Sequence, residues 1–184
     1  MRFSKSQALG LAAMALLAFG WPFAAAKAGP REIDAAAHAT LDQFFYEVRS
    51  SRELANRAAG ILVFPTVVKA GFWFGGEYGE GALLVRGRTA GYYNDVSGSF
   101  GLQLGAQARS VIIMFMTPEA LDAFYAKDGW KVGVDGSVTV IAVGAGGAVD
   151  TNTIRTPVVG FIFDQKGLMY NLTLEGSKIS RIYR

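Results

Sequence analysis

The chain has 184 residues, 51% of them hydrophobic, with 23 glycines, a single histidine, no cysteine and a formal net charge of +3. That length suits one domain with or without a targeting segment. The missing cysteine excludes disulfides, thiolate metal ligands, a cysteine nucleophile and a thiol-linked lipid anchor.

The amino-terminal segment reads as a targeting signal. Arg2 and Lys5 open it, Ala8 to Phe19 form an apolar run, and Ala24, Ala25, Ala26 and Ala28 supply small residues for cleavage. Gly20 and Pro22 interrupt the run before it reaches the about 20 apolar residues that a spanning helix needs. A signal peptide over residues 1–28 is expected, cleaved after Ala26 or Ala28, leaving one domain over 29–184 that is periplasmic or secreted, or peripheral to the outer membrane. Arg2, Lys5 and Lys27 leave with it, so the remainder carries 15 basic and 15 acidic residues. The basicity of the whole chain therefore gives no ground for nucleic-acid binding.

Ile33, Ala37, Leu41, Phe44, Phe45 and Val48 recur at helical spacing and predict a helix from about Glu32 to Arg49. A shorter helix is expected from Ser51 to Ala59, with Ser50 and Glu53 at capping-box spacing and Gly60 as its stop. From Ile61 the period becomes two, or short apolar runs bounded by glycine, which marks strands. The expected strands are Ile61–Val68, Gly71–Gly76, Ala82–Arg86, Ala90–Asp95, Phe100–Ala106, Ser110–Met116, Ser137–Val143, Val158–Asp164 and Leu168–Glu175. In Phe100–Ala106 an apolar face (Phe100, Leu102, Leu104, Ala106) alternates with a small or amide-bearing one that includes Gln103 and Gln107. One helix interrupts the strands, with Thr117 as N-cap, Pro118 at its first position, Leu121 and Phe124 or Tyr125 facing the sheet, and an end near Lys127. The fold class is α+β: a curved or barrel-like antiparallel sheet with N-terminal helices and one inserted helix.

Motifs for catalysis are missing. His38 stands on the polar side of the first helix without the partners that metal or triad chemistry requires. Gly144 to Val149 follows a strand as a dinucleotide loop would, but Val149 replaces the last required glycine. There is no phosphate-binding loop and no Gly-x-Ser-x-Gly elbow, and the acidic residues are scattered singly. A non-enzymatic protein with no cofactor and no metal is expected; a hydrolase would need two convergent carboxylates or an activated serine.

From Ile61 to about Ile182 the sequence resembles the SYLF domain family. The resemblance rests on Ala58, Ala59 and Gly60, then Ile61 to Pro65, Lys69, Gly71, Gly75, Gly76, Gly79 and Gly81. It continues through Gly101, Gln103, Gly105, Ala106 and Gln107, then Phe124, Val132 and Gly133, and closes on Lys166, Gly167, Leu168 and Leu174 to Ile179. The family is lipid-binding, its eukaryotic members recognising phosphoinositides and associating with actin, so the resemblance implies anionic lipid as the partner. Two departures stand out. Gly144 to Ala148 replaces a family Gly-Pro-x-Gly-Arg segment and so lacks its basic residue, and the first helix carries Glu32, Asp34, Asp42 and Glu47 against Arg49, which disfavours docking by that helix.

A head-group site is expected among basic residues near the chain end. Lys166, Lys178, Arg181 and Arg184 face only Glu175 over the last twenty residues, a local excess of three positive charges, and Lys69, Arg86 and Arg88 are candidates to join them. Trp73, between Phe72 and Phe74, is the candidate apolar contact. Each basic residue near an anionic surface contributes about 1 kcal/mol, so a few clustered ones suffice for weak binding. The alternative is a structural or protein-interaction module of the cell envelope with incidental lipid affinity, marked by an apolar patch without cationic partners.

Overall fold

The computed structural model describes residues 28–71, 74–100, 105–143, 156–167, 174 and 176–184, and no side chain at 99 or 100. The expected signal peptide, Trp73, the run Gly144 to Val149, most of the expected strand Leu168–Glu175 and the middle of Phe100–Ala106 lie outside the described residues.

Helix α1 (Pro30–Glu47) forms where the spacing of apolar residues places it, with proline in its first turn and Ile33, Ala37 and Phe44 buried. Helix α2 (Ser51–Arg57) follows at once, capped otherwise than the Ser50 and Glu53 spacing predicts. The corner between the helices holds Ser50 at a left-handed φ of 62°, where its side chain makes no cap bond. Ser51 Oγ instead donates to the Val48 carbonyl at 2.6 Å, and Gly60 opens the first strand rather than closing a helix. Helix α3 (Pro118–Tyr125) is capped as expected: the Thr117 side chain accepts from the Ala120 N–H at 3.2 Å. Leu121 and Phe124 are buried and Tyr125 is exposed.

The strands are β1 (Gly60–Gly71), β2 (Phe74–Val85), β3 (Arg88–Phe100), β4 (Gly105–Phe115), β5 (Trp130–Lys131), β6 (Thr139–Ala142), β7 (Val158–Gly167) and β8 (Lys178–Ile182). They form one sheet in the order β5-β8-β3-β2-β1-β4-β7-β6, curled into a half-barrel. Neighbours pair antiparallel except β6 and β7, which run parallel. The long connection between Ala142 and Val158 has the dozen or more residues that a parallel crossover requires.

Gly71–Gly76, expected as one strand, is divided between two antiparallel strands, Gly71 ending β1 and Phe74 opening β2. Gly71 stands opposite Gly75, and a Cβ added to Gly71 would lie 2.5 Å from the Gly75 Cα, so only glycine lets the two strands close there. Strand β1 is central, yet it contains Pro65. The register with both neighbours shifts between Val63 and Val67, a bulge that accommodates the missing N–H. The freed Pro65 carbonyl accepts from Ser110 Oγ at 2.8 Å.

Both faces of the sheet carry a core. On the outer face α1 and α2 bury Val63, Ala82, Leu84, Ile112, Met114, Phe161 and Phe163. On the inner, concave face α3 and Trp130 close over Leu62, Phe64, Leu83, Tyr93, Val111, Ile113, Phe115 and Ile162. Helix α1 crosses the outer face diagonally. Near its start Asp34 accepts from Thr89 Oγ1 and the Tyr92 hydroxyl on β3 at 2.8 and 2.9 Å. Near its end the Phe44 ring lies 4.9 and 5.3 Å from those of Phe161 and Phe163 on β7. The half of the sheet toward the β1–β2 turn extends beyond that helix.

Candidate functional site

Alternation in the strands fixes what the uncovered half of the outer face presents. One row of direct cross-strand partners runs Lys178, Val96, Tyr78, Val68, Ala108, Lys166 over six strands, β8 to β7. At about 4.8 Å per strand the two lysines stand about 24 Å apart along the sheet. The interior of the row is apolar and uncovered: Val68, Tyr78 and Val96 are 47%, 42% and 43% exposed. The next row toward the turn, Gly98, Gly76, Ala70 and Ala106, has only small residues, all exposed, and Phe74 beyond it is 70% exposed. The face is therefore a smooth apolar plain with a cation at each margin. Lys131 stands opposite Lys178 and adds a charge at that edge. Lys166 Nζ donates to Asp164 at 3.0 Å, an exposed pair of small net worth. The Tyr78 hydroxyl donates to Glu80 at 2.6 Å, and partial burial followed by this bond pushes its pKa up to about 12. Glu80 also accepts from Arg184, so that arginine is already paired.

On the inner face of the same end, alternation turns charged groups inward. One row of partners is Ser97, Glu77, Lys69, Gln107, Gly167; the next is Ile179, Asp95, Gly79, Val67, Arg109. Lys69, Glu77, Asp95, Gln107 and Arg109 are all buried, with Ser177 beside them. Arg109 donates to Glu77 at 2.6 Å, reaching diagonally across β1, and both side chains are nearly inaccessible. Asp95 is pushed up to about 7, first by burial and then by the charge of Glu77, while hydrogen bonding to Ser177 and the charge of Arg109 pull the other way.

The expected basic site thus divides. Lys166 and Lys178 share the outer row. Lys69 does not join them, since it is 6% exposed and belongs to the inner face. Arg86 and Arg88 flank the β2–β3 turn, some eight residues along β2 from Tyr78, or about 26 Å at 3.3 Å per residue. Arg181 is exposed but stands opposite Tyr93, on the inner side, with its guanidinium 5.9 Å from the Tyr183 ring. Trp73 lies outside the described residues; the exposed apolar side chains on this half of the face are Phe74, Tyr78, Val68 and Val96. Sequence reading passed over Val68 and Val96 because a strand buried on both faces and one uncovered on one face look alike in a run of valines. It passed over Glu77, Asp95 and Arg109 because their convergence needs the register of four strands.

Residues 96–182 match the family model described as Ysc84, Las17-binding protein actin regulator. Over that span the chain is similar to the Ysc84 (SYLF) family. The Ysc84 match begins within β3 and ends with β8, so it includes Gln107, Arg109, Lys166, Lys178 and Arg181, while Lys69, Glu77, Arg86 and Arg88 precede it. No curated protein matches the chain.

Proposed function

We propose that this is a non-enzymatic lipid-binding protein of the bacterial envelope, which lays the uncovered half of its outer sheet face on an anionic membrane surface. One observation carries the reading: a row of exposed apolar residues, Val68, Tyr78 and Val96, bounded by Lys178 and Lys166. An apolar plain of this kind is costly to leave in water and marks a contact surface. Lysines at its margins meet phosphates while Tyr78, a ring with a polar tip, is favoured at the acyl boundary and Phe74 adds an apolar ring beside it. Among the described residues no helix is long and apolar enough to cross a membrane; the docking proposed here is peripheral. The SYLF resemblance argues for lipid as the partner, and the expected signal peptide argues for the compartment.

The test is co-sedimentation with vesicles of phosphatidylglycerol and phosphatidylcholine, or phosphatidylcholine alone. Replacing Lys166 and Lys178 together by Ala is expected to weaken binding to the anionic vesicles by up to about 2 kcal/mol, at about 1 kcal/mol for each residue. Raising salt to 1 M, which shortens screening from about 8 to about 3 Å, is expected to release most of the protein. Equal binding to both vesicle types, indifferent to salt and to the substitution, overturns the reading. A second reading, a protein-interaction module, draws on the description of the matched family as a Las17-binding actin regulator; it is favoured if neither vesicle type binds.

A further inference from the structure

The inner mouth of the half-barrel holds two polar side chains that the fold itself does not use. Lys69 on β1 and Gln107 on β4 are direct cross-strand partners on the same face, which sets their Cβ atoms about 4.5–5.5 Å apart. Gln107 is 2% exposed, and among the described residues neither its Nε2 nor its Oε1 has a hydrogen-bond partner. Lys69, 6% exposed, forms no hydrogen bond or ion pair among the described residues. Its neighbour Glu77 is directed to Arg109. A buried amide is held without partners only at a cost in stability, and one that stands beside an ammonium engaged in no ion pair indicates an anionic ligand that both could meet.

We propose that Lys69 and Gln107 form a binding site for a phosphate group, separate from the face that meets the membrane. The ammonium and the amide N–H donate to phosphate oxygens. The amide oxygen accepts from a hydroxyl, which a monoprotonated phosphate carries itself and a glycerophosphate head group carries on its glycerol. With Asp95 protonated below about pH 7, the charges balance: Arg109 is neutralised by Glu77, and Lys69 is left to neutralise the anion. Free phosphate and a phospholipid head group offer the same chemistry, and the proposal does not rest on membrane docking.

Thermal unfolding of the full-length protein is followed while inorganic phosphate, or dihexanoylphosphatidylglycerol as a dispersed monomer, is titrated against a chloride control. Either ligand is expected to raise the midpoint in a saturable way, as ligands that bind only the folded state do. A shift with inorganic phosphate alone identifies a free-phosphate site, and a shift with the lipid alone a head-group site. Lys69→Met and Gln107→Leu are each expected to weaken the apparent affinity about tenfold or more, the loss of one charge-assisted or buried hydrogen bond. Lys69→Arg keeps the charge and is expected to retain most of it. The Lys166, Lys178 double variant should respond to phosphate as the wild type does, which separates this site from the membrane face. No saturable shift with either ligand in the wild type overturns the proposal without recourse to any variant, and so does an equal shift in wild type and Lys69→Met.

Discussion

Placing charge inside a half-barrel carries a large desolvation cost, and the Arg109–Glu77 pair meets it with a direct contact of 2.6 Å. Breaking such a pair from one side is far worse than never having built it. Glu77→Gln is expected to destabilise the protein by about 3–5 kcal/mol, because a guanidinium then stays buried opposite a neutral amide. Urea unfolding checks this, and a loss below 1 kcal/mol would show that water reaches the arginine. Asp95 carries the opposite sign of effect. Its carboxyl is raised from 3.8 to about 7 in the folded protein. Between those values the folded state holds a proton that the unfolded state has released, so stability falls as pH rises through that window and is level on either side of it. Asp95→Asn, which keeps the neutral shape, is therefore expected to raise the melting midpoint at about pH 8 and to leave it unchanged at about pH 4, at about 2–4 °C per kcal/mol for a chain of this size. An equal effect at both pH values would show that the aspartate is ionised in the folded state throughout.

Helix α1 is the element that divides the outer face into covered and uncovered halves, and Phe44 is its anchor, fully buried between Phe161 and Phe163. Phe44→Ala is expected to cost about 3–5 kcal/mol, and a midpoint within error of the wild type would mean that α1 does not hold the sheet. That helix was legible from its apolar helical period, and α3 from Thr117 as N-cap with Pro118 at its first position. Most strands were legible too, as runs of β-branched residues between glycines. Two features that shape the candidate sites were not. Lys178–Ile182 alternates over only five residues, too short a run to separate from a charged tail, yet it is β8, and it alone brings Lys178 into the outer row. Alternation separates an apolar from an amide-bearing face around Gln107 without saying which is buried; at β4 the Gln107 face turns inward, while Ala106 is exposed. Period two states that two faces differ, and only the bulge at Pro65 and the pairing of β1 with β4 decide which one is concave.

At the scale of the whole molecule, the uncovered sheet face and the β2–β3 turn lie at opposite ends of the strands, so a membrane that meets one stays away from the other. The Lys166–Lys178 row and Arg86 are separated by about 26 Å of strand, roughly three Debye lengths at physiological salt. In the proposed docking, charge at Arg86 and Arg88 is therefore expected to contribute little, although a count of basic residues along the sequence weighs it equally with Lys166. The absence of cysteine makes this directly measurable, because a single introduced thiol is the sole labelling site. Val68→Cys and Arg86→Cys, each carrying an environment-sensitive fluorophore, place reporters at the two ends, both on exposed positions. Phosphatidylglycerol vesicles are expected to blue-shift and brighten the label at position 68 and to leave that at position 86 unchanged. The reverse result would move the membrane contact to the β2–β3 turn and restore Arg86 and Arg88 as its cations. A shift at neither position, with the protein still sedimenting with the vesicles, would place the contact away from both ends of the sheet.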